Sequence, residues 1–285
     1  MNKIGIVTDS SCSLPPAIVE KCEITVVPVS IQIGDQSFSD GVDLSLDEFY
    51  ARIESGSVAT TSQPSPGEFL KVYRALSERV KTIISIHVTG KASGTVQAAH
   101  LARQAIPSVD VEVVDSGFTT MALGFMAMES ARAALLGRTK EEILRLIEDL
   151  KSRIHVFAAL PTLRYLRRSG RVGAGQALIA SVLSVKPILS MANGVLEVVD
   201  RVRTYPRALA RMIELAERAV GDHPVRLSVL YTKTPDQALG FAGELERRLR
   251  CVDETIVTEM GAALAVHGGP GMIGLAAMKV QRDMP

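Results

Sequence analysis

The chain is expected to be an α/β protein, because strand-like apolar runs alternate with helix-like amphipathic runs almost from end to end of its 285 residues. Two details support that class: polar or glycine-bearing turns follow the apolar runs, and prolines or capping residues open the helical ones. The first strand, at 4–7, is the run Ile4-Gly5-Ile6-Val7, closed by Thr8-Asp9-Ser10-Ser11 and followed through Leu14-Pro15-Pro16 by a helix. Further strands are expected at 24–33, 82–88, 109–114 and 156–160, with helical periodicity around 46–53, 66–80, 94–106 and 122–135 between them. The helix at 66 has an explicit start, since Ser65 and Glu68 form a capping box with Pro66 in the first helical position. A strongly amphipathic helix at 140–152 follows Gly137, with Thr139 as cap and Glu142 three residues on, and closes the first half. In the second half strands are expected at 186–191, 194–201, 225–231, 251–259 and 271–278, with helices at 206–220 and 235–249. Asn193-Gly194 reads as the two-residue turn of a hairpin.

At about 150 residues per domain the length predicts two domains, and 47% apolar with 22% charged residues is ordinary globular composition. The boundary is placed after residue 160, giving domains 1–160 and 161–285. Residues 1–160 carry 15 basic and 19 acidic groups, whereas 161–285 carry 17 basic and 12 acidic. The overall net charge of +1 disfavours a strongly basic nucleic-acid binder. The greasiest stretch, 117–136, is interrupted by Thr119, Thr120, Glu129 and Arg132, so no transmembrane segment is expected. The start has no signal-peptide pattern, and a cytoplasmic location is the expectation. Cys12, Cys22 and Cys251 lack CxxC spacing, and His87, His100, His155, His223 and His267 are scattered, so neither a disulfide framework nor a metal site is expected.

Five segments are candidates for chemistry. Thr8-Asp9-Ser10-Ser11 sits where open α/β sheets bind ligands, although a helix cap is the favoured reading of this segment alone. In Thr60-Thr61-Ser62-Gln63-Pro64-Ser65-Pro66 the capping box accounts for Ser65 and Pro66. Thr61 and Ser62 remain, either as donors to a carboxylate or phosphate or as an ST-turn. Thr89-Gly90-Lys91-Ala92-Ser93-Gly94-Thr95 precedes a helix and is a candidate anion site, but it is not a P-loop. Four arginines, Arg164, Arg167, Arg168 and Arg171, lie within eight residues. Most suit a solvated helix face, while Arg171, after Gly170, is able to grip an anion. Finally, His267 leads into Gly268-Gly269-Pro270-Gly271, a backbone that can approach a ligand closely. The nucleophile elbow Gly-x-Ser-x-Gly does not occur.

Taken in order, Thr8-Asp9-Ser10 with Leu14-Pro15, Thr61-Ser62-Gln63-Pro64-Ser65, Ser93-Gly94-Thr95, Val114-Asp115-Ser116, Tyr165-Leu166-Arg167-Arg168-Ser169-Gly170-Arg171, Lys186-Pro187-Ile188-Leu189 and His267-Gly268-Gly269-Pro270-Gly271 resemble the DegV family. The resemblance spans the chain. It implies an N-terminal parallel-sheet sandwich with helices on both faces, a C-terminal mixed α/β domain, and one long-chain, palmitate-like fatty acid between the domains. In bacteria, members of this family act as the lipid-carrying subunit of a fatty acid kinase that feeds phospholipid metabolism. They present the carboxylate to a separate ATP-binding partner that makes the acyl phosphate. The resemblance therefore implies a binding subunit without its own nucleotide site, cofactor or metal. Carried over by position, Thr61 and Ser93 match the hydroxyls that hold the head group, with Ser62, Gly94 and Thr95 as neighbours. Arg171 and His267 match positions at the pocket mouth linked to ligand or phosphate handling, and Arg203 matches a basic position that engages the kinase. Thr89-Gly90-Lys91-Ala92 and Gly268 depart from the family pattern.

A fatty acid tail of roughly sixteen carbons gains about 0.8 kcal/mol for each methylene it buries. Phe118, Met121, Phe125, Met126 and Met128 are candidates to line an apolar tunnel, or are plain core. The alternative function is a dihydroxyacetone-kinase-like subunit acting on a small phosphorylated or hydroxylated substrate, with His267 as a covalent or acid–base centre. A regulatory module that senses a lipid is a third reading.

Overall fold

The computed structural model describes residues 4–171 and 185–281. Its contacts divide the chain into two units, one holding the residues up to Ser152 with Gly261–Ala263, the other running from Arg153 to Met260 and again from Leu264.

The first unit begins with β1 (Ile4–Asp9), a 3-10 turn (Ser10–Cys12), α1 (Pro16–Lys21), β2 (Ile24–Val27), β3 (Ser30–Ile33), β4 (Gln36–Ser39), α2 (Leu46–Glu54) and β5 (Ala59–Ser62). It continues through α3 (Pro66–Ser77), β6 (Thr82–His87), α4 (Thr95–Gln104), β7 (Asp110–Asp115), α5 (Thr120–Leu135) and α6 (Lys140–Arg153). The main sheet has the order β2-β1-β6-β7 and every pair is parallel. Every residue of β1 is buried, as expected of a parallel strand covered on both faces. On one face Val7, Ile83 and Val111 pack with Phe69, Tyr73 and Leu76 of α3 and Ala98 and Ala102 of α4. On the other lies α5, against β1, β2 and β6. The strand expected at 24–33 is two strands. Pro28 has no N–H to give a ladder, and after it the chain leaves the parallel sheet for a small antiparallel one of order β4-β3-β5.

Helix α5 is apolar nearly all round, and Phe118, Met121, Phe125, Met126 and Met128 are buried in this unit. Gly124 is where α5 passes closest to the 3-10 turn: a Cβ there would stand 2.6 Å from the Cys12 carbonyl oxygen and 2.9 Å from Met121 Sδ. Helix propensity favours Gly124→Ala by about 1 kcal/mol, but backbone cannot yield as a flexible side chain can. The expected outcome is a net loss of about 1–3 kcal/mol from overpacking, read as a lower urea midpoint at unchanged m-value. A gain in stability would show that the turn moves aside without cost.

The second unit comprises β8 (Ile154–Ala159), α7 (Arg164–Ser169), β9 (Lys186–Ala192), β10 (Val195–Val202), α8 (Tyr205–Val220), β11 (Val225–Tyr231), α9 (Pro235–Arg248), β12 (Ile256–Glu259), the remainder of α10 (Ala262–Gly268) and β13 (Ile273–Lys279). Its six strands have the order β10-β9-β8-β13-β11-β12, with β11–β12 parallel and the other pairs antiparallel. Met212, Ile213 and Ala216 of α8 and Ala238, Phe241 and Leu245 of α9 join the core with Val225, Leu227 and Leu275. Asn193 and Gly194 both adopt positive φ, 50° and 77°, and join β9 to β10 with Ala192 opposite Val195.

Strand β8, expected at the end of the first domain, is an interior strand of this second sheet, between β9 and β13. The contact division accordingly falls at 152/153, whereas the change in charge composition pointed to a boundary after 160. The physical reason is that surface charge reports solvent faces and carries no information about strand partners. Residues 273–278 of β13 are all buried and need a neighbour on each edge, which β8 and β11 supply.

Candidate functional site

In the first unit the carboxyl ends of β1 and β6 are joined by a buried polar line. The Tyr73 hydroxyl donates to Ser85 Oγ at 2.8 Å, Ser85 Oγ lies 2.6 Å from His87 Nε2, and His87 Nδ1 lies 3.0 Å from Asp9 Oδ2. Asp9 also accepts from the Val88 N–H at 3.0 Å and from the N–H and hydroxyl of Ser11. The order Ser–His–Asp is that of a hydrolase triad, but Tyr73, Ser85, His87 and Asp9 are all 0% exposed, so no substrate reaches them. Burial works to raise the Asp9 carboxyl, and His87, Ser11 and the Val88 amide outweigh it, holding the group below the usual carboxylate range. Asp9 is thus a cap, as one reading of its segment had it, and also ties two strand ends together.

Directly after β6 comes the turn that carries Ser93. Asp115, at the end of β7, accepts from the Gly90 N–H at 3.0 Å and the Gly117 N–H at 2.9 Å, and the Thr89 N–H donates to the Phe118 carbonyl at 2.9 Å. Ser93 Oγ lies 2.8 Å from Thr95 Oγ1 and accepts from the Thr95 N–H at 3.3 Å, at the start of α4. Thr95 is fully buried, Ser93 half-buried and Gly94 exposed. The second hydroxyl segment arrives from β5. Thr61 is half-buried opposite Ile31, on the same side of the strand as buried Ala59, whereas Ser62 alternates to the other side and is exposed. The capping box of Ser65 and Glu68 starts α3, with Glu68 Oε2 2.6 Å from the Ser65 N. The two segments meet at Gln63, whose side-chain amide lies 3.1–3.4 Å from where a Cβ on Gly94 would stand. Thr61, Ser62, Ser93, Gly94 and Thr95 therefore belong to two segments that touch, with Ser62 exposed on the side of β5 away from Thr61.

The remaining candidates belong to the second unit. His267 is in the last turn of α10, half-buried. Arg171 is exposed after Gly170, which ends α7 in the left-handed conformation, and its Nη1 donates to the Ser169 carbonyl at 2.6 Å. Arg203 is exposed in the bend between β10 and α8. Burial chiefly, and then the Arg171 guanidinium, push the His267 imidazole down from 6.5 to about 4, so it is neutral at pH 7. Because its folded value lies below its unfolded one, the unfolded chain binds more protons between the two values. The associated stability is complete above about 6.5, falls as the pH drops, and levels off below about 4. Replacing Arg171 by Ala is expected to raise the His267 titration only part of the way back, since burial is the larger cause, and NMR of the imidazole resonances reads this directly. A titration that stays in place would show that Arg171 does not act on His267.

Compared with known proteins, residues 3–280 match the family model described as "Uncharacterised protein, DegV family". The chain belongs to the DegV family. Among DegV relatives, a DegV domain-containing protein of Streptomyces coelicolor is 37% identical over 273 residues, covering 95% of this chain and 97% of the relative. A solved DegV family protein from Thermus thermophilus, described as fatty acid binding, superposes with a TM-score of 0.92 at 32% identity, covering 98% of this chain and 100% of that one. DegV of Bacillus subtilis, described as a fatty acid binding protein, gives 0.91 at 28% identity with the same coverage. A stearic acid-binding protein from Eubacterium ventriosum gives 0.88 at 26% identity over 98% of each chain. Among the described residues no helix is long and apolar enough to cross a membrane, and no three His, Cys, Asp or Glu side chains gather into a metal-holding group.

Two residues that hold these turns were not singled out from the sequence. Gln63 and Asp115 stand inside quoted motifs, yet a glutamine before a proline and an aspartate at a strand end carry no chemical signature alone. Only the glycines they serve, Gly94 and Gly90, give them a purpose.

Proposed function

We propose that this DegV protein binds a long-chain fatty acid and presents its carboxylate to a separate ATP-binding kinase subunit, which makes the acyl phosphate. Thr61 and Ser93 donate their hydroxyls to the carboxylate, with the turn amides at Gly94 and Thr95 adding N–H donors or partial positive charge. In the transfer a carboxylate oxygen attacks the γ-phosphorus of the partner's ATP, the bond to ADP breaks, and the acyl phosphate remains on the carrier. Arg171 supplies charge to the phosphoryl oxygens, and neutral His267 donates a hydrogen bond to them through its one ring N–H. Arg203, exposed beside an edge strand, serves the kinase contact.

The observation that carries the proposal is the meeting of the two hydroxyl segments through Gln63 and Gly94 in a family whose solved members are described as fatty acid binding. The deciding experiment is native mass spectrometry of freshly purified protein, followed by organic extraction and identification of what it carries. One long-chain fatty acid per chain is the expected result. An empty protein that refuses added palmitate and oleate would overturn the proposal and turn attention to a small-substrate enzyme.

A further inference from the structure

We propose that Thr232 is the positioning residue for His267, fastening the glycine turn after α10 so that the imidazole has one place to be. Thr232 follows β11 and is 0% exposed. Its hydroxyl, N–H and carbonyl all reach the turn that leaves His267, and the carbonyl also accepts from the Thr234 hydroxyl at 3.4 Å. Its hydroxyl donates to the Gly269 carbonyl at 2.7 Å and accepts from the Met272 N–H at 2.9 Å. Its N–H donates to the Met272 carbonyl at 3.1 Å, and its carbonyl accepts from the Gly271 N–H at 2.8 Å. The Gly269 N–H meanwhile closes α10 on the Ala265 carbonyl at 2.8 Å, so the grip on Gly269 is a grip on the helix end, two residues from His267.

The turn so held has no slack. Gly269 and Gly271 have φ of +71° and +79°, and a Cβ on Gly269 would stand 2.2 Å from the Tyr165 ring, which therefore lies directly on that backbone. The Tyr205 hydroxyl donates to the Gly271 carbonyl at 2.6 Å from a third direction. On the other side of Thr232, Lys233 adopts φ +62°, a conformation that costs a non-glycine residue free energy and that persists only where the surroundings demand it. A single side-chain atom both donates and accepts at this buried point, which is what a hydroxyl does. Valine has the same shape and would leave the Met272 N–H and Gly269 carbonyl without partners.

The inference rests on the reading that His267 handles the acyl phosphate, and the experiment separates the two. Full-length, isotope-labelled Thr232→Val and Thr232→Ser proteins are titrated by NMR on the His267 imidazole, and each is loaded with palmitate and assayed for acyl-phosphate formation with the purified kinase subunit and ATP. In Thr232→Val the His267 titration is expected to rise by about one pH unit as the turn loosens and water enters, and transfer to slow by about tenfold. Thr232→Ser keeps both near wild type. A merely structural threonine would lower the unfolding midpoint and leave the titration in place, and that result overturns the proposal. If Thr232→Val does not fold, Thr232→Cys, a weaker donor and acceptor of similar size, is titrated in its place: a His267 titration that rises supports the clamp, and one that stays in place overturns it. A moved titration with undiminished transfer supports the clamp and refutes the assigned role of His267.

Discussion

Asp9→Ala is expected to destabilise the first unit by about 3–5 kcal/mol, the cost of removing one partner from a fully buried charge network. Val88 N–H, Ser11 N–H, the Ser11 hydroxyl and His87 Nδ1 all converge on this carboxylate, and none has water to turn to, since Asp9 and His87 are 0% exposed. The loss should also exceed that of Tyr73→Phe, at the far end of the line, which removes one hydrogen bond worth about 1 kcal/mol. The pH dependence has a definite sign. The folded Asp9 carboxyl titrates below its ordinary 3.8, so its contribution is present above about 4 and is lost as the pH falls through the lower folded value. Urea unfolding of wild type and Asp9→Asn from pH 7 to 3 measures this, and the variant should lack the acid-sensitive component. A cost under about 1 kcal/mol for Asp9→Ala would mean that the strand ends do not depend on the carboxylate.

Replacing Thr61 and Ser93 together by Ala is expected to weaken fatty acid binding by roughly a hundredfold or more, because each hydroxyl bond to a charged carboxylate is worth about 1.5–3 kcal/mol. The apolar tail still gains its burial in the double variant, so residual binding remains and the loss is measurable by titration with a fluorescent fatty acid. Ser93 also accepts from the Thr95 N–H at the start of α4, so Ser93→Ala carries a stability cost of its own. Unfolding midpoints of the single variants separate that cost from the binding loss. Thr60→Ala, exposed on the opposite side of the same strand from Thr61, serves as the control and should bind as wild type does. Unchanged affinity in the double variant would remove both hydroxyls from the head-group site.

The α/β class, the capping box at Ser65 and Glu68 and the Asn193-Gly194 hairpin were legible because each depends on residues near one another in the chain, whereas the parallel opening sheet came only with the family resemblance. Periodicity, caps and turn chemistry act over a few residues, and these residues satisfy them locally. The break at Pro28 belongs to the same level, and 24–33 reads as one run only when the missing N–H of proline is given too little weight.

Partner choice was not legible. That Ile154–Ala159 pairs with β9 and β13, that Gln63 lies against Gly94, that Asp9 meets His87 and that Thr232 holds the turn beyond His267 are contacts across tens of residues. No local preference of a threonine or glutamine announces them. By itself the sequence determined the class, the family and the residue types available for binding a carboxylate. Tertiary structure alone decided which of them are brought together and which are held neutral or buried, because hydrogen-bond satisfaction and desolvation are properties of an assembled environment.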